Sequence, residues 1–152
     1  MSIRTAIVSR AIDVTALLAE VGNTANGATI VFLGQVRDVN DGRAVTGMEY
    51  SAYGEMAERE LAAIASECAE TFGVTNLAAE HRLGALELGD TSIAIVVAHP
   101  HRGKAYEASR FVIEEVKRRL PIWKREGYAD GTSQWVNAGG GPQQSSTLEH
   151  RS

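Results

Sequence analysis

Apolar positions recur along the chain with two different periods, and the changes of period mark out its elements. Val14, Leu17, Leu18 and Val21 stand at helical spacing behind Asp13, a good helix cap, and Gly22-Asn23 supplies a stop. From Ala28 to Arg37 the run is β-branched and almost continuously apolar, which predicts a strand buried on both faces, with Asp38 to Gly42 as a turn. Ala44 to Tyr50 alternates small, apolar and polar residues and is expected to pair back as the second strand of a hairpin. Between Glu55 and Phe72 the period becomes helical, with Met56, Leu61, Ile64, Ala65, Cys68 and Phe72 on one face and Gly73 at the end. Two strand-like runs, Asn76 to Leu83 and Thr91 to His99, flank a glycine-punctuated turn region at Gly84 to Asp90. A long helix then runs from about Gly103 to Leu120 on a ridge of Ala108, Val112, Val116 and Leu120.

The order helix, hairpin, helix, hairpin, helix sets paired strands apart from covering helices. It predicts an α+β fold with an antiparallel or mixed sheet rather than a doubly wound parallel sheet. At 152 residues and 44% hydrophobic content the chain can bury one core, so a single domain is expected over residues 1–137. Residues 138–152, opening on Ala138-Gly139-Gly140-Gly141-Pro142, have the composition of a flexible tail.

A formal net charge of -4 argues against a general nucleic-acid binder, so recognition of an anion has to be local. The first ten residues lack the apolar core of a signal peptide and no segment approaches a membrane span, so a cytoplasmic protein is expected. Cys68, the single cysteine, falls among apolar neighbours and reads as a buried structural thiol.

The local cationic site is Lys117-Arg118-Arg119-Leu120-Pro121-Ile122-Trp123-Lys124-Arg125-Glu126. Proline lacks an amide hydrogen and crowds the preceding turn, so the helix should stop near Leu120 and the chain should swing Lys124 back toward Lys117. Lys117 flanks the apolar ridge, where its stem can pack while its amine reaches a pocket rim; helix-dipole complementarity is the competing account of its position. Trp123 is expected to anchor the returning segment. Arg37 ends the first apolar strand and can offer a bidentate fork to phosphate or carboxylate, and Gly34 marks a bulge or the close approach of a ligand or a second backbone, a simple packing glycine being the alternative. His99-Pro100-His101-Arg102 opens the long helix and reads as an anion cradle, or with His81 or Asp90 as metal ligands. No nucleophile elbow or phosphate loop is present in the sequence. Arg37, His101, Arg102, Lys117 and Lys124 suit a phosphorylated or carboxylated substrate and acid-base or amine chemistry by a lysine of depressed pKa.

Five segments, taken together, resemble the large, catalytic subunit of molybdopterin synthase. They are Gly34 to Arg37, Met48 to Ala57, His81 to Gly84, His101 to Ala108 and Lys117 to Glu126, with a closing Trp135-Val136. The resemblance covers roughly residues 5–137 and implies an α/β-hammerhead-like fold. It implies conversion of cyclic pyranopterin monophosphate (precursor Z) to molybdopterin, two sulfurs being inserted as a dithiolene during molybdenum cofactor biosynthesis. It implies no resident metal or other cofactor. The implied sulfur donor is a small ubiquitin-like subunit with a C-terminal Gly-Gly thiocarboxylate, and the implied assembly is a heterotetramer around a homodimer core. Carried over by position, Lys117 and Lys124 form the catalytic pair. Substrate binding falls to Gln35, Val36, Arg37, His101, Arg102, Lys124, Arg125 and Glu126. Ser51 replaces a frequent acidic residue, and Gly139 to Gly141 stand where some relatives place a basic residue that reaches across the dimer. The alternative is a noncatalytic module that binds a phosphorylated ligand or a partner's C-terminal tail through the same pocket.

Overall fold

The chain opens with a strand that the apolar pattern does not announce. In the computed structural model, which describes residues 1–138, β1 (Ser2–Val8) lies parallel to β5 (Asn76–Arg82), with Ser2 opposite Asn76 and Val8 opposite Arg82. α1 (Val14–Val21) follows as expected: the Asp13 carboxylate accepts the Ala16 N–H at 3.1 Å, and Leu17 and Val21 are buried. β2 (Ala28–Gln35) and β7 (Thr91–His99) complete the first sheet in the order β1-β5-β7-β2. β5 and β7 pair antiparallel, as expected, and every residue of β7 after Thr91 is buried.

β2 is not buried on both faces. It is the edge of its sheet, and its outward residues Val31 and Leu33 remain 38% and 36% exposed while Ile30 and Phe32 turn inward. An apolar run does not distinguish a central strand from an edge strand with one uncovered face.

α2 (Gly54–Phe72) and α3 (Arg102–Arg119) pack on each other and over one face of this sheet. Leu61, Ile64, Ala65 and Cys68 of α2 meet Ala108, Val112 and Val116 of α3 above Leu77, Ile93, Ile95 and Val97. Met56 is the exception to the expected α2 face: it is 52% exposed, and Ala57 takes the buried place in the first turn. Gly73 ends α2 in the left-handed conformation, φ 68°. On the other face α1 covers Ala78, Ala94, Val96 and Ala98. Nearby, Arg4 and Arg10 close on the buried Glu80 carboxylate at 2.7 and 3.0 Å.

The second sheet is where the hairpin expectation fails. β3 (Val39–Asn40) and β4 (Arg43–Ala52) are joined by Asp41 and Gly42, whose φ angles of 50° and 76° make a two-residue turn. That turn folds β4 back on β3, not on β2. β4 then pairs with β6 (Gly84–Leu86) and, along its other edge, with β8 (Ile122–Tyr128), which pairs with β9 (Ser133–Asn137). The segment after Pro121 is therefore a strand, and its anchor is Ile122, 1% exposed, rather than the half-buried Trp123.

Ala138, the first residue of the expected tail, donates its N–H to the Ile122 carbonyl at 2.9 Å. Residues 139–152, with Gly139 to Gly141, lie outside the described residues. Among those described, no helix is long and apolar enough to cross a membrane.

Gly34 marks the expected bulge, while what approaches it closely is packed side chains rather than a ligand or a second backbone. The β2–β7 register shifts between Gly34 and Gln35, and a Cβ on Gly34 would lie 2.7 Å from Ile93 Cγ2 and 3.3 Å from Ser92 Oγ. Ile93 is a buried β-branched side chain with little room to yield. Gly34→Ala should therefore lose about 1–3 kcal/mol of stability in urea unfolding, as overpacked sites do; an unchanged midpoint would show that the strand can shift to accept a methyl group.

Candidate active site

Val116 and Leu120 point into the core from the last turns of α3, and that fixes the direction of Lys117 beside them. The helix ends at Leu120, whose extended backbone (φ -71°, ψ 130°) leads straight through Pro121 into β8. Along β8 the side chains alternate, so Ile122, Lys124 and Glu126 face inward while Trp123 and Arg125 face outward. Lys117 and Lys124 thereby line one cleft of about 170 Å³, together with Gln35 and Arg37 from the end of β2. Phe32, Met48, Ile113 and Val116 supply its apolar walls.

The basic residues of this region divide by their partners. Arg118 pairs with Glu115, and Arg119 with Glu60, Glu67 and Glu115. Arg125 bonds Glu49 across the sheet and lies over the Trp135 ring at 5.1 Å, on the face away from the cleft. Lys117, by contrast, has no carboxylate partner among the described residues. Burial of its amine in the cleft lowers its pKa, and the nearby Lys124 ammonium lowers it further. The residue as a whole is nevertheless exposed to solvent, so water screens much of this effect and only its direction stands. Lys124 has the one close carboxylate, Glu126 Oε1 at 3.6 Å.

Glu126 is 4% exposed, accepts the Asn40 Nδ2 hydrogen at 3.1 Å, and receives the Tyr128 hydroxyl at 3.5 Å. The cleft thus presents three cations, Arg37, Lys117 and Lys124, to one carboxylate. Such a set favours anionic ligands and retains an amine able to give or take a proton.

The other expected residues lie elsewhere. Val36 is 4% exposed and packs in the core, its backbone bonded to Asp90 and Gly89, so only its neighbours Gln35 and Arg37 face the cleft. His101 and Arg102 line a separate shallow depression at the start of α3 with Gly27, Pro100 and Gly103. Fifteen helical residues separate Arg102 from Lys117, roughly 22 Å along the axis, so one chain cannot bring both to one phosphate. His99 is 8% exposed and has both ring nitrogens engaged: Nδ1 accepts the His101 N–H at 2.9 Å and Nε2 donates to the Phe72 carbonyl at 3.1 Å. A metal ligand needs a free nitrogen, and among the described residues no group of three His, Cys, Asp or Glu side chains converges. Cys68 is buried, and burial pushes its thiol up to about 12.

Three lining residues were not legible as such. Asn40 reads as an ordinary turn residue, Ser92 as part of a strand, and His81 only as a possible metal ligand. His81 is 5% exposed, its Nδ1–H donates to the Arg82 carbonyl at 3.0 Å, and its ring meets Tyr50 edge-on at 5.1 Å. A histidine inside a strand otherwise made of buried residues is the signal that could have placed it.

Residues 7–119 match the family described as MoaE protein. Over 114 residues the chain is 41% identical to the molybdopterin synthase catalytic subunit of Pyrococcus abyssi, covering 75% of this chain and 77% of that one. The crystal structure of molybdopterin synthase from Staphylococcus aureus superposes with a TM-score of 0.81 at 38% identity, covering 86% of this chain and 94% of that chain. A Helicobacter pylori protein-protein complex of subunits 1 and 2 of molybdopterin-converting factor contains a chain similar at TM-score 0.68 and 27% identity, with 83% and 86% covered.

Burial lowers the His81 pKa to about 4 from 6.5; the Arg82 carbonyl opposes this and Lys117 adds to it. The unfolded chain therefore takes up a proton at His81 before the folded one does, and stability present above pH 6.5 is lost as the pH falls toward 4. The loss attached to His81 is on the order of 3 kcal/mol. Urea unfolding of wild type and His81→Gln across this window should show the wild type losing that much more; parallel profiles would contradict a neutral buried His81.

Proposed function

The chain belongs to the MoaE family, the catalytic subunits of molybdopterin synthase in molybdenum cofactor biosynthesis, and from that premise we propose that its cationic cleft inserts sulfur into a cyclic pyranopterin monophosphate. The observation that carries this reading is the presence of Lys117 and Lys124 on one cleft with Arg37, Lys117 being free of any carboxylate partner among the described residues. The sulfur donor is the C-terminal Gly-Gly thiocarboxylate of a small ubiquitin-like subunit, and the two-subunit complex of the Helicobacter pylori relative supports such a partner.

Phosphate and thiocarboxylate are both anions and repel each other. Cations fixed in advance offset that repulsion, at no reorganisation cost during reaction. Arg37 takes the phosphate through its planar fork, with Gln35 beside it. Lys124, braced by Glu126, holds the charge of the reacting groups. Lys117 moves the proton, because an amine whose pKa is lowered by its place in the cleft and by Lys124 gives up its proton more readily than an ordinary lysine. In each of two rounds the thiocarboxylate sulfur bonds to a pterin side-chain carbon as a carbon–oxygen bond there breaks, once opening the cyclic phosphate to a monoester and once releasing the oxygen as water, and a further water then cuts the acyl–sulfur bond. The sulfur stays on the pterin, and the partner leaves as an ordinary carboxylate. Arg125 steadies β8 from its outer face.

His101 and Arg102 enter this scheme from a second copy of the chain, because the length of α3 removes them from the cleft of their own copy. The assembly is then a homodimer flanked by two sulfur carriers. We place it in the cytoplasm, a compartment in which a lone reduced cysteine such as Cys68 is ordinary.

Incubation with the thiocarboxylated partner and the pterin precursor, followed by assay for molybdopterin, tests the reading. Lys117→Ala should lower product formation by about a hundredfold or more, the usual range for a lost acid-base group, with partner affinity within about twofold of wild type. Product at the wild-type rate would remove Lys117 from catalysis.

A further inference from the structure

The turn at Asp41-Gly42 does more than reverse the chain. With both of its residues at positive φ it fixes the register Asn40 opposite Arg43 and leaves the half-buried Asn40 side chain at the cleft. There Oδ1 accepts a hydrogen bond from Arg37 Nη2 at 3.3 Å, and Nδ2 donates to Glu126 Oε1 at 3.1 Å. The orientation of the carboxamide follows from its partners, since a guanidinium only donates and an ionised carboxylate only accepts. Aspartate in this place could accept from Arg37 but would repel Glu126, and alanine would do neither.

Glu126 in turn faces Lys124, so an unbroken polar chain runs Arg37, Asn40, Glu126, Lys124 from the end of β2 to the middle of β8. Asn40, Lys124 and Glu126 also line a neighbouring cavity of about 290 Å³, which makes them the partition between two spaces.

We propose that Asn40 is a positioning residue of the sulfur-insertion reaction, its carboxamide holding the Arg37 fork and the Glu126–Lys124 pair at a fixed separation. The inference rests on the reading of the cleft as a molybdopterin synthase site. Arg37 is otherwise a long, exposed side chain with many rotamers, and one neutral bond to Asn40 restricts it without neutralising its charge. The second bond falls on Oε1, the same Glu126 oxygen that faces Lys124 at 3.6 Å, so Asn40 and Lys124 share one carboxylate oxygen and the Asn40 bond fixes where it stands. Ordering of the phosphate site and ordering of the charge-holding Lys124 become one event.

Two measurements on the full chain separate the halves of this bridge: equilibrium titration with the pterin monophosphate precursor, and turnover with the thiocarboxylated partner. Asn40→Ala should weaken precursor binding about fivefold or more and lower kcat about fivefold or more, as expected for lost hydrogen bonds to charged groups. In an Arg37→Ala background the binding loss should shrink to under about twofold, and in a Glu126→Gln background the kcat loss should do the same, because coupled residues are not additive. Asn40→Ser, which keeps a polar residue beside the turn but is too short to reach both partners, should reproduce the split if the alanine variant folds poorly. Losses of equal size in every background, or an Asn40→Ala protein within about twofold of wild type in both measurements, would overturn the proposal. A wild-type chain that forms no molybdopterin would instead refute the underlying function, and the titration would still decide whether Asn40 positions Arg37.

Discussion

The cleft depends on one covalent constraint, the seven-residue path from Lys117 to Lys124 through Pro121. Proline cannot continue α3, and Leu120 adopts an extended backbone that delivers the chain directly into β8. Ile122 locks the start of that strand: its side chain is 1% exposed, its N–H bonds the Leu120 carbonyl at 2.9 Å, and its carbonyl receives Ala138. With Val116 and Leu120 buried on one side of the reversal and Ile122 on the other, the backbone at neither lysine can turn away without uncovering core. Two like charges are held together here by hydrophobic burial, the dominant favourable term in folding.

The surrounding charges show how such a site is kept selective in an acidic chain. Arg118, Arg119 and Arg125 carry the same sign as the two lysines, yet each is taken by carboxylates on α2, α3 or β4 and faces away from the cleft. The cations left for ligands are Arg37, Lys117 and Lys124, with Glu126 as the only carboxylate among the residues lining the cleft. A site of this composition suits a reaction that brings two anions together, as the proposed sulfur insertion does.

Helix boundaries, the α3 ridge and the lysine reversal were legible because each follows from local chemistry: Asp13 as a cap, Gly73 as a left-handed stop, Pro121 as a break, and apolar residues four apart. What stayed hidden depended on partners far away in sequence. β1 is half-buried and finds its place only beside β5, seventy-four residues on. β4 alternates as a hairpin strand should, but the Asp41-Gly42 turn gives it β3 as a neighbour, and β8 lies too far along the chain to be guessed. Arg37 was legible as a fork at a strand end. Asn40 was not, since nothing local distinguishes an asparagine that bridges two charges from one that merely begins a turn. His101 and Arg102 carry the right chemistry, but the length of α3 separates them from Lys117 within one chain.

The proposed chemistry needs Lys117 to carry an amine that loses its proton more readily than an ordinary lysine, through desolvation in the cleft and the Lys124 charge. An NMR titration of the protein with isotope-labelled lysine side chains measures this directly. The Lys117 amine should titrate below 10.5, and Lys124→Gln should move it part of the way back, burial accounting for the remainder. A Lys117 that titrates at or above 10.5, unmoved by the loss of Lys124, would contradict the claim that the Pro121 reversal creates the reactive group.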